Sequence, residues 1–298
     1  MKNIIRYYGG WLLANIFIAL GFTYRVKQRI KKGEMILSFF FHDPSRDTFH
    51  YCISWLKKNG LTFLDQNDIL AVSTGKKPFP KNAVVITFDD GWKGNVEAVI
   101  PIAETFRVPV TIFISTEPVE NGVFWWSYIW PGQQKKIITN PVEYFKNLPN
   151  EERLAVIKQI KEEVTLQREA MTVSQLQAIS KQDMVTIGGH TISHPILSQC
   201  SEEQAFVELS ESKQTIEKWI GKQINSFAYP NGSYGTREVE ILRKLNYDIA
   251  YTTQQVPLTK ERIKNTLELP RFIVIEKISN AEALCRMLGV WQSVLRQP

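Results

Sequence analysis

Groups that hold metals or redox centres are scarce in this sequence: four histidines and three cysteines in 298 residues. Cys52, Cys200 and Cys285 are far apart, odd in number and outside any C-x-x-C spacing, so they read as ordinary thiols. No disulfide framework is implied, and nothing points to an oxidising compartment. A nucleotide-type glycine-rich turn is missing, and no internal repeat is visible. A continuous membrane-spanning run is missing too. The most apolar stretch, YYGGWLLANIFIALGFTY, contains Asn15 and three glycines and falls short of the roughly 20 residues a spanning helix needs.

Acids are absent from residues 1 to 33, which carry Lys2, Arg6, Arg25, Lys27, Arg29, Lys31 and Lys32. The formal charge of +6 therefore resides in this segment, and the remaining chain has 29 basic against 30 acidic residues. A phosphate-tracking surface needs its charge spread over the folded body, which argues against nucleic acid as a partner. Residues 1–33 are expected to form a helix lying on or shallowly in a membrane, followed by a basic stripe that meets anionic lipid. A helix packed on the outside of the folded body is the alternative. A cleaved signal peptide fits poorly, for want of a small-x-small site. If the segment spans, the positive flank RVKQRIKK places the downstream chain in the cytoplasm. Membrane association on the cytoplasmic face is the expected location, with an anchored extracytoplasmic protein as the alternative.

From residue 34 to 298 short apolar runs alternate with amphipathic stretches, and these residues are read as one catalytic domain. MILSFFFHD, AVVITFDDG, VPVTIFIST, MVTIGGHT, SFAYPNG, DIAYTTQ and LPRFIVI read as strands. Helices are expected between them, including a long one over 202–220 ended by Gly221 and one capped by Thr172 or Ser174. Parallel neighbours need crossovers, so the pattern predicts an α/β fold: a distorted (β/α) barrel of about seven parallel strands. In such barrels chemistry gathers at the C-terminal strand ends.

The unusual residues fall there. Asp89 and Asp90 end the second strand, where adjacent side chains should diverge. His190 and His194 lie in HTISH, four apart, so they can converge on one ion. A structural pair, one capping and one exposed, is the alternative. Two imidazoles and a carboxylate from Asp90 or Asp89 make a three-ligand site with an open position. One aspartate would then hold a divalent cation, while the other remains available as a base.

TFDDG (87–91), HTISH (190–194) and FAYPNG (227–232) resemble the first three motifs of the NodB-type polysaccharide deacetylases, carbohydrate esterase family four. The resemblance runs from about Ile36 to Ile275. It implies a distorted barrel and metal-dependent hydrolysis of N-acetyl, or O-acetyl or N-formyl, groups on a glycan or lipid-linked sugar. Zinc is the expected ion, with cobalt, nickel or manganese as alternatives. Carried over by position, Asp89 is the base, Asp90, His190 and His194 hold the metal, and the backbone near Tyr229 helps hold the oxyanion. Tyr229, Pro230, Asn231 and Gly232 together form the third motif and are expected to touch substrate.

Two departures stand out. Ala228 replaces an arginine that orients the base in the family. Arg271, in LPRF, is expected to reach inward and substitute for it, the alternative being a surface arginine. No histidine comes after His194, so the acid that protonates the leaving amine is assigned to His42, at the end of the first strand; a histidine satisfied within the core is the other reading. Trp125 and Trp126 are expected either to stack on sugar rings or to cover one end of the barrel. A carbohydrate-binding protein on the same barrel, with impaired catalysis, is the alternative to an enzyme.

Overall fold

The computed structural model describes residues 2 to 295; Met1 and residues 296 to 298, at the ends of the two expected segments, lie outside it. Eight strands form one sheet: β1 (Leu37–Phe41), β2 (Thr62–Phe63), β3 (Ala83–Phe88), β4 (Val110–Ile114), β5 (Val185–Gly189), β6 (Ser226–Ala228), β7 (Ile249–Tyr251) and β8 (Phe272–Ile273). The runs LSFFF, AVVITF and VTIFI are buried at every position. That is the pattern of parallel strands covered on both faces. All ladders are parallel, in the order β7-β6-β5-β4-β3-β1-β8, with β2 attached to β3.

The seven-strand path matches the sequence expectation. β2 and the Gln66–Ser73 helix after it are additions, because two residues of strand and eight of helix are too short to establish a period. Between β7 and β8 there is no ladder among the described residues. Instead a parallel bridge joins Tyr251 to Leu269, and the chain passes through Arg271 into β8. The barrel thus nearly closes, and the seam carries a functional candidate.

Register brings the chemistry to one end. Phe41 lies opposite Phe88, and Ile114 opposite Gly189, so His42, Asp89 and His190 each leave their strands at the same level. β5 must approach its neighbours closely. A Cβ on Gly188 would sit 2.5 Å from the Phe113 ring and 2.7 Å from the Ser226 carbonyl oxygen, which only glycine avoids. Thr172 caps the Val173–Ile179 helix reciprocally with Gln175, and Gly221, at φ 67°, ends the Glu202–Ile220 helix.

The N-terminal segment folds as two helices, α1 (Lys2–Ala19) and α2 (Phe22–Lys32), bent by 60°. Gly21 makes the break, with φ at 76°. Ala14, Phe17 and Ile30 are buried in the main apolar core, and the Cys285 thiol donates to the Ala14 carbonyl at 3.6 Å. One side of α1 is therefore part of the barrel's packing. Among the described residues no single helix is long and apolar enough to cross a membrane. All three cysteines are buried free thiols.

Candidate metal centre and catalytic cavity

A cavity of about 1110 Å³ opens at the C-terminal strand ends and is lined by His42, Asp89, Asp90, Trp92, Trp125, Trp126, His190, His194, Asn231 and Glu276, among others. At its floor Asp90, His190 and His194 present one ligand atom each, all within 4.8 Å of one another. Asp90 Oδ1 lies 3.2 Å from His190 Nε2 and 3.4 Å from His194 Nε2.

The donor set fits a divalent cation. His190 Nδ1 is 2.7 Å from the Ala228 carbonyl oxygen, which can only accept, so Nδ1 carries the proton and Nε2 offers its lone pair. That lone pair faces a carboxylate oxygen which is itself buried without a hydrogen bond. Two electron-pair donors turned toward one another in a buried site repel unless a cation lies between them. Burial lowers the pKa of His194 despite the neighbouring Asp90, favouring the neutral ring that binds metal. Asp90 is held well below the usual carboxylate range: burial opposes the charge, and His42 is the largest of the neighbours that outweigh it.

The backbone pays for this convergence. Asp90 (φ 77°), Thr191 (φ 69°) and His194 (φ 52°) all adopt left-handed conformations, which are costly away from glycine, most of all for β-branched Thr191. The turn at Asp90 lets adjacent aspartates diverge. Asp89 points to the barrel seam, where Arg271 Nη1 and Nη2 donate to its two oxygens at 2.7 and 2.9 Å. Arg271 is fully buried, donates also to Thr87 Oγ1 and the Thr252 carbonyl, and lies 4.2 Å from the Phe40 ring centre. Ala228 packs in the same cluster as Phe113 and Tyr251, whose rings flank the guanidinium. Arg271 thus reaches Asp89 from the segment that enters β8.

His42 is half-buried at the cavity edge, its Nδ1 3.7 Å from Glu276 Oε1. Burial disfavours its charged form, but the carboxylates of Asp90, Glu276 and Asp89 more than offset this and raise the pKa to about 9. Glu276 is correspondingly lowered, against the effect of its own burial, by the His42 interaction. Burial and the neighbouring acids Glu276, Glu97 and Glu169 push Asp43 up to about 6.

The third motif needs correction. Tyr229 does not line the cavity: its hydroxyl donates to the Leu267 carbonyl, and its N–H is committed to the Tyr251 carbonyl. Neither Pro230, which has no N–H to offer, nor Gly232, packed on Thr253, is among the residues that line the cavity. Only Asn231 does, at φ 52° and with an N–H that makes no hydrogen bond among the described residues. Trp125 is nearly buried, donating from Nε1 to the His194 carbonyl at 3.0 Å, while Trp126 packs edge-on against His194 at 4.7 Å. Both contribute to the wall, and both brace the metal loop. Trp130, before Pro131, is 68% exposed.

Three supports carry no clear mark in the sequence. Trp92 Nε1 donates to Asp90 Oδ2 at 2.8 Å and fixes the carboxylate from the far side. Glu208, buried on the Glu202–Ile220 helix, accepts from the N–H groups of Ile192 and Ser193 and from the Ser193 hydroxyl, clamping the loop between the two histidines. Arg153, in a helix that reads as a solvated face, is buried against Trp125 at 4.7 Å and donates to Ser193. The only available signal was the tryptophan directly after TFDDG; Glu208 and Arg153 reach the site from helices whose spacing carries no such mark. Trp92→Phe removes the hydrogen bond and keeps the packing. It is expected to weaken zinc binding by about 10- to 100-fold in an equilibrium titration, with little change in the unfolding midpoint.

A nearly closed parallel barrel whose C-terminal mouth brings one carboxylate and two imidazoles together has a candidate metal site there. A family model described as polysaccharide deacetylase matches residues 76–250, and the chain belongs to that family. The chain is 24% identical over 252 residues to the Escherichia coli K12 poly-beta-1,6-N-acetyl-D-glucosamine N-deacetylase, covering 80% of this chain but 34% of that protein. The Staphylococcus aureus MSSA476 protein of the same name is 23% identical over 258 residues, 83% of this chain and 76% of that one. Bacillus subtilis YxkH is 22% identical over 207 residues, and the chain spans 57% of its length. Among solved structures, the Streptococcus pyogenes deacetylase PplD superposes with a TM-score of 0.62 at 19% identity, covering 85% of this chain and 98% of that one. IcaB from Ammonifex degensii gives 0.61 at 15% identity, covering 84% and 96%. These likenesses show the fold.

Proposed function

We propose that this protein is a metal-dependent N-deacetylase of acetylated sugars, releasing acetate and a free amine. The observation that carries the reading is the division of labour at Asp89 and Asp90: one carboxylate is forked by a buried arginine and the other is turned to two histidines. Asp90, His190 and His194 would hold the ion, zinc by their nitrogen-rich donor set. When bound, the ion supplies Lewis acidity toward the acetyl carbonyl and makes water more acidic.

The chain's own residues do the rest. Asp89, kept in place by Arg271, takes a proton from the attacking water. The Asn231 N–H is the third-motif donor available to the developing oxyanion. His42 gives a proton to the departing nitrogen. Trp126 and the neighbouring Trp92 offer ring surface for a sugar.

With Asp90 engaged by a cation, its pull on His42 is cancelled, and Glu276 remains the carboxylate beside that imidazole. Glu276→Gln should therefore lower the His42 pKa. The basic limb of the kcat profile, set by loss of the His42 proton, is expected to move to lower pH, with the acidic limb unmoved. An unshifted basic limb would remove His42 from the acid role. Without the cation, the raised His42 pKa, to which Asp90 contributes most and Glu276 next, gives stability that is complete below the ordinary histidine value of 6.5 and is lost as pH rises through about 9.

Amine release from N-acetylated oligosaccharides tests the reading as a whole. Activity is expected to vanish on chelation and return with zinc. Activity unaffected by exhaustive chelation, with no metal left in the protein, would contradict it; metal binding without amine release would favour the carbohydrate-binding alternative.

A further inference from the structure

α1 has two apolar sides, and the fold uses only one. The inner side places Ala14 and Phe17 in the core, with Leu13 and Ile18 packed against it. The outer side carries Ile4, Ile5, Tyr8, Leu12 and Ile16, recurring on one helical face and 44% to 70% exposed. From Tyr7 to Tyr24 the chain has no charged residue. A helix on the surface of a water-soluble domain places charge on its outer side, so α1 inverts the expected pattern. Exposed apolar patches of this kind mark interaction sites.

The surrounding charge says what covers this one. α2 turns away by 60° and exposes Arg25, Lys31 and Lys32, with no acid before Glu34; Arg29 is already paired with that glutamate. Tyr7, Tyr8, Trp11 and Tyr24 are 41% to 63% exposed, and such rings settle at the level of lipid headgroups. An apolar face, an aromatic fringe and an adjoining basic helix are the three features met together by an anionic bilayer.

The geometry points to α1 and α2 as the seat of this protein on an anionic membrane, with α1 lying in the plane of the interface. The same helix reaches the active site. Arg6 lines the catalytic cavity beside Lys277 and Ile278. Docking through α1 therefore holds the cavity mouth at the bilayer surface. Resting on the deacetylase reading, this selects an acetylated sugar carried on a lipid as the substrate class.

The test is sedimentation of the full chain with vesicles of phosphatidylglycerol and phosphatidylcholine, and with phosphatidylcholine alone. Binding is expected only with the anionic lipid and is expected to fall steeply with salt. Replacing Arg25, Lys31 and Lys32 with glutamine should weaken partitioning on the order of a hundredfold. Ile5→Glu with Leu12→Glu should abolish binding and hydrolysis of a vesicle-borne acetylated glycolipid, while hydrolysis of a soluble acetylated oligosaccharide persists. If that pair misfolds, the α2 triple variant still decides. Failure of the wild type to bind anionic vesicles, or equal binding by the variants, overturns the proposal. So does a dimer that the Ile5→Glu/Leu12→Glu pair dissolves in the absence of vesicle binding, because the face then belongs to a second copy. Vesicle binding that behaves as expected, with neither substrate hydrolysed by the wild type, sinks the deacetylase reading and leaves the docking intact.

Discussion

Asp89→Asn is expected to lower kcat by about 10²–10⁴ while leaving metal content unchanged. Asparagine fills the same volume but cannot take a proton from water. The metal centre should be indifferent to the change, because Asp89 makes its bonds with Arg271 on the seam side and Asp90 alone turns to the histidines. Amine release at saturating substrate, measured beside metal stoichiometry on the same sample, checks both halves. Full activity in the variant would end the base assignment. Loss of the metal would mean that the two aspartates are not separated as described.

The second large effect concerns the seam itself. Arg271→Met keeps much of the apolar stem but leaves Asp89 buried, 2% exposed, without its ionic partner. Breaking a buried pair from one side costs about 3–5 kcal/mol, since the remaining charge is stranded. A urea titration should show that loss as a lower midpoint with little change in slope. Adding Asp89→Asn to Arg271→Met should recover part of it, because the stranded charge is then gone. If the two losses simply add, the bidentate contact is not what stabilises this end of the barrel.

Much of the framework was legible in the sequence because parallel strands buried on both faces write themselves as unbroken apolar runs. AVVITF and VTIFI could be read almost to the residue. The site residues at strand ends were legible for a related reason: a carboxylate or imidazole directly after such a run has nowhere to go but the barrel's mouth. Arg271 was visible because a charge between Pro270 and an apolar strand demands a partner. What stayed hidden arrives from helices and loops. Glu208 and Arg153 sit in charged helices where one more acid or base looks like solvent-facing decoration, and only tertiary packing turns them inward. Tyr229 misled because motif position says nothing about where an N–H is spent, and the parallel ladder with β7 claims it first. The bend at Gly21 was likewise hidden, since a glycine within an apolar helix does not announce a left-handed break.

X-ray absorption of the zinc-reconstituted protein tests the central claim most directly, namely that Asp90, His190 and His194 share one cation from which Asp89 is excluded. The account predicts a single ion bound by two imidazole nitrogens and carboxylate oxygen. The spectrum should be unchanged in Asp89→Asn, and the site should be lost in His194→Ala. A shell that lacks the two imidazoles, or one that survives His194→Ala and changes in Asp89→Asn, would contradict it.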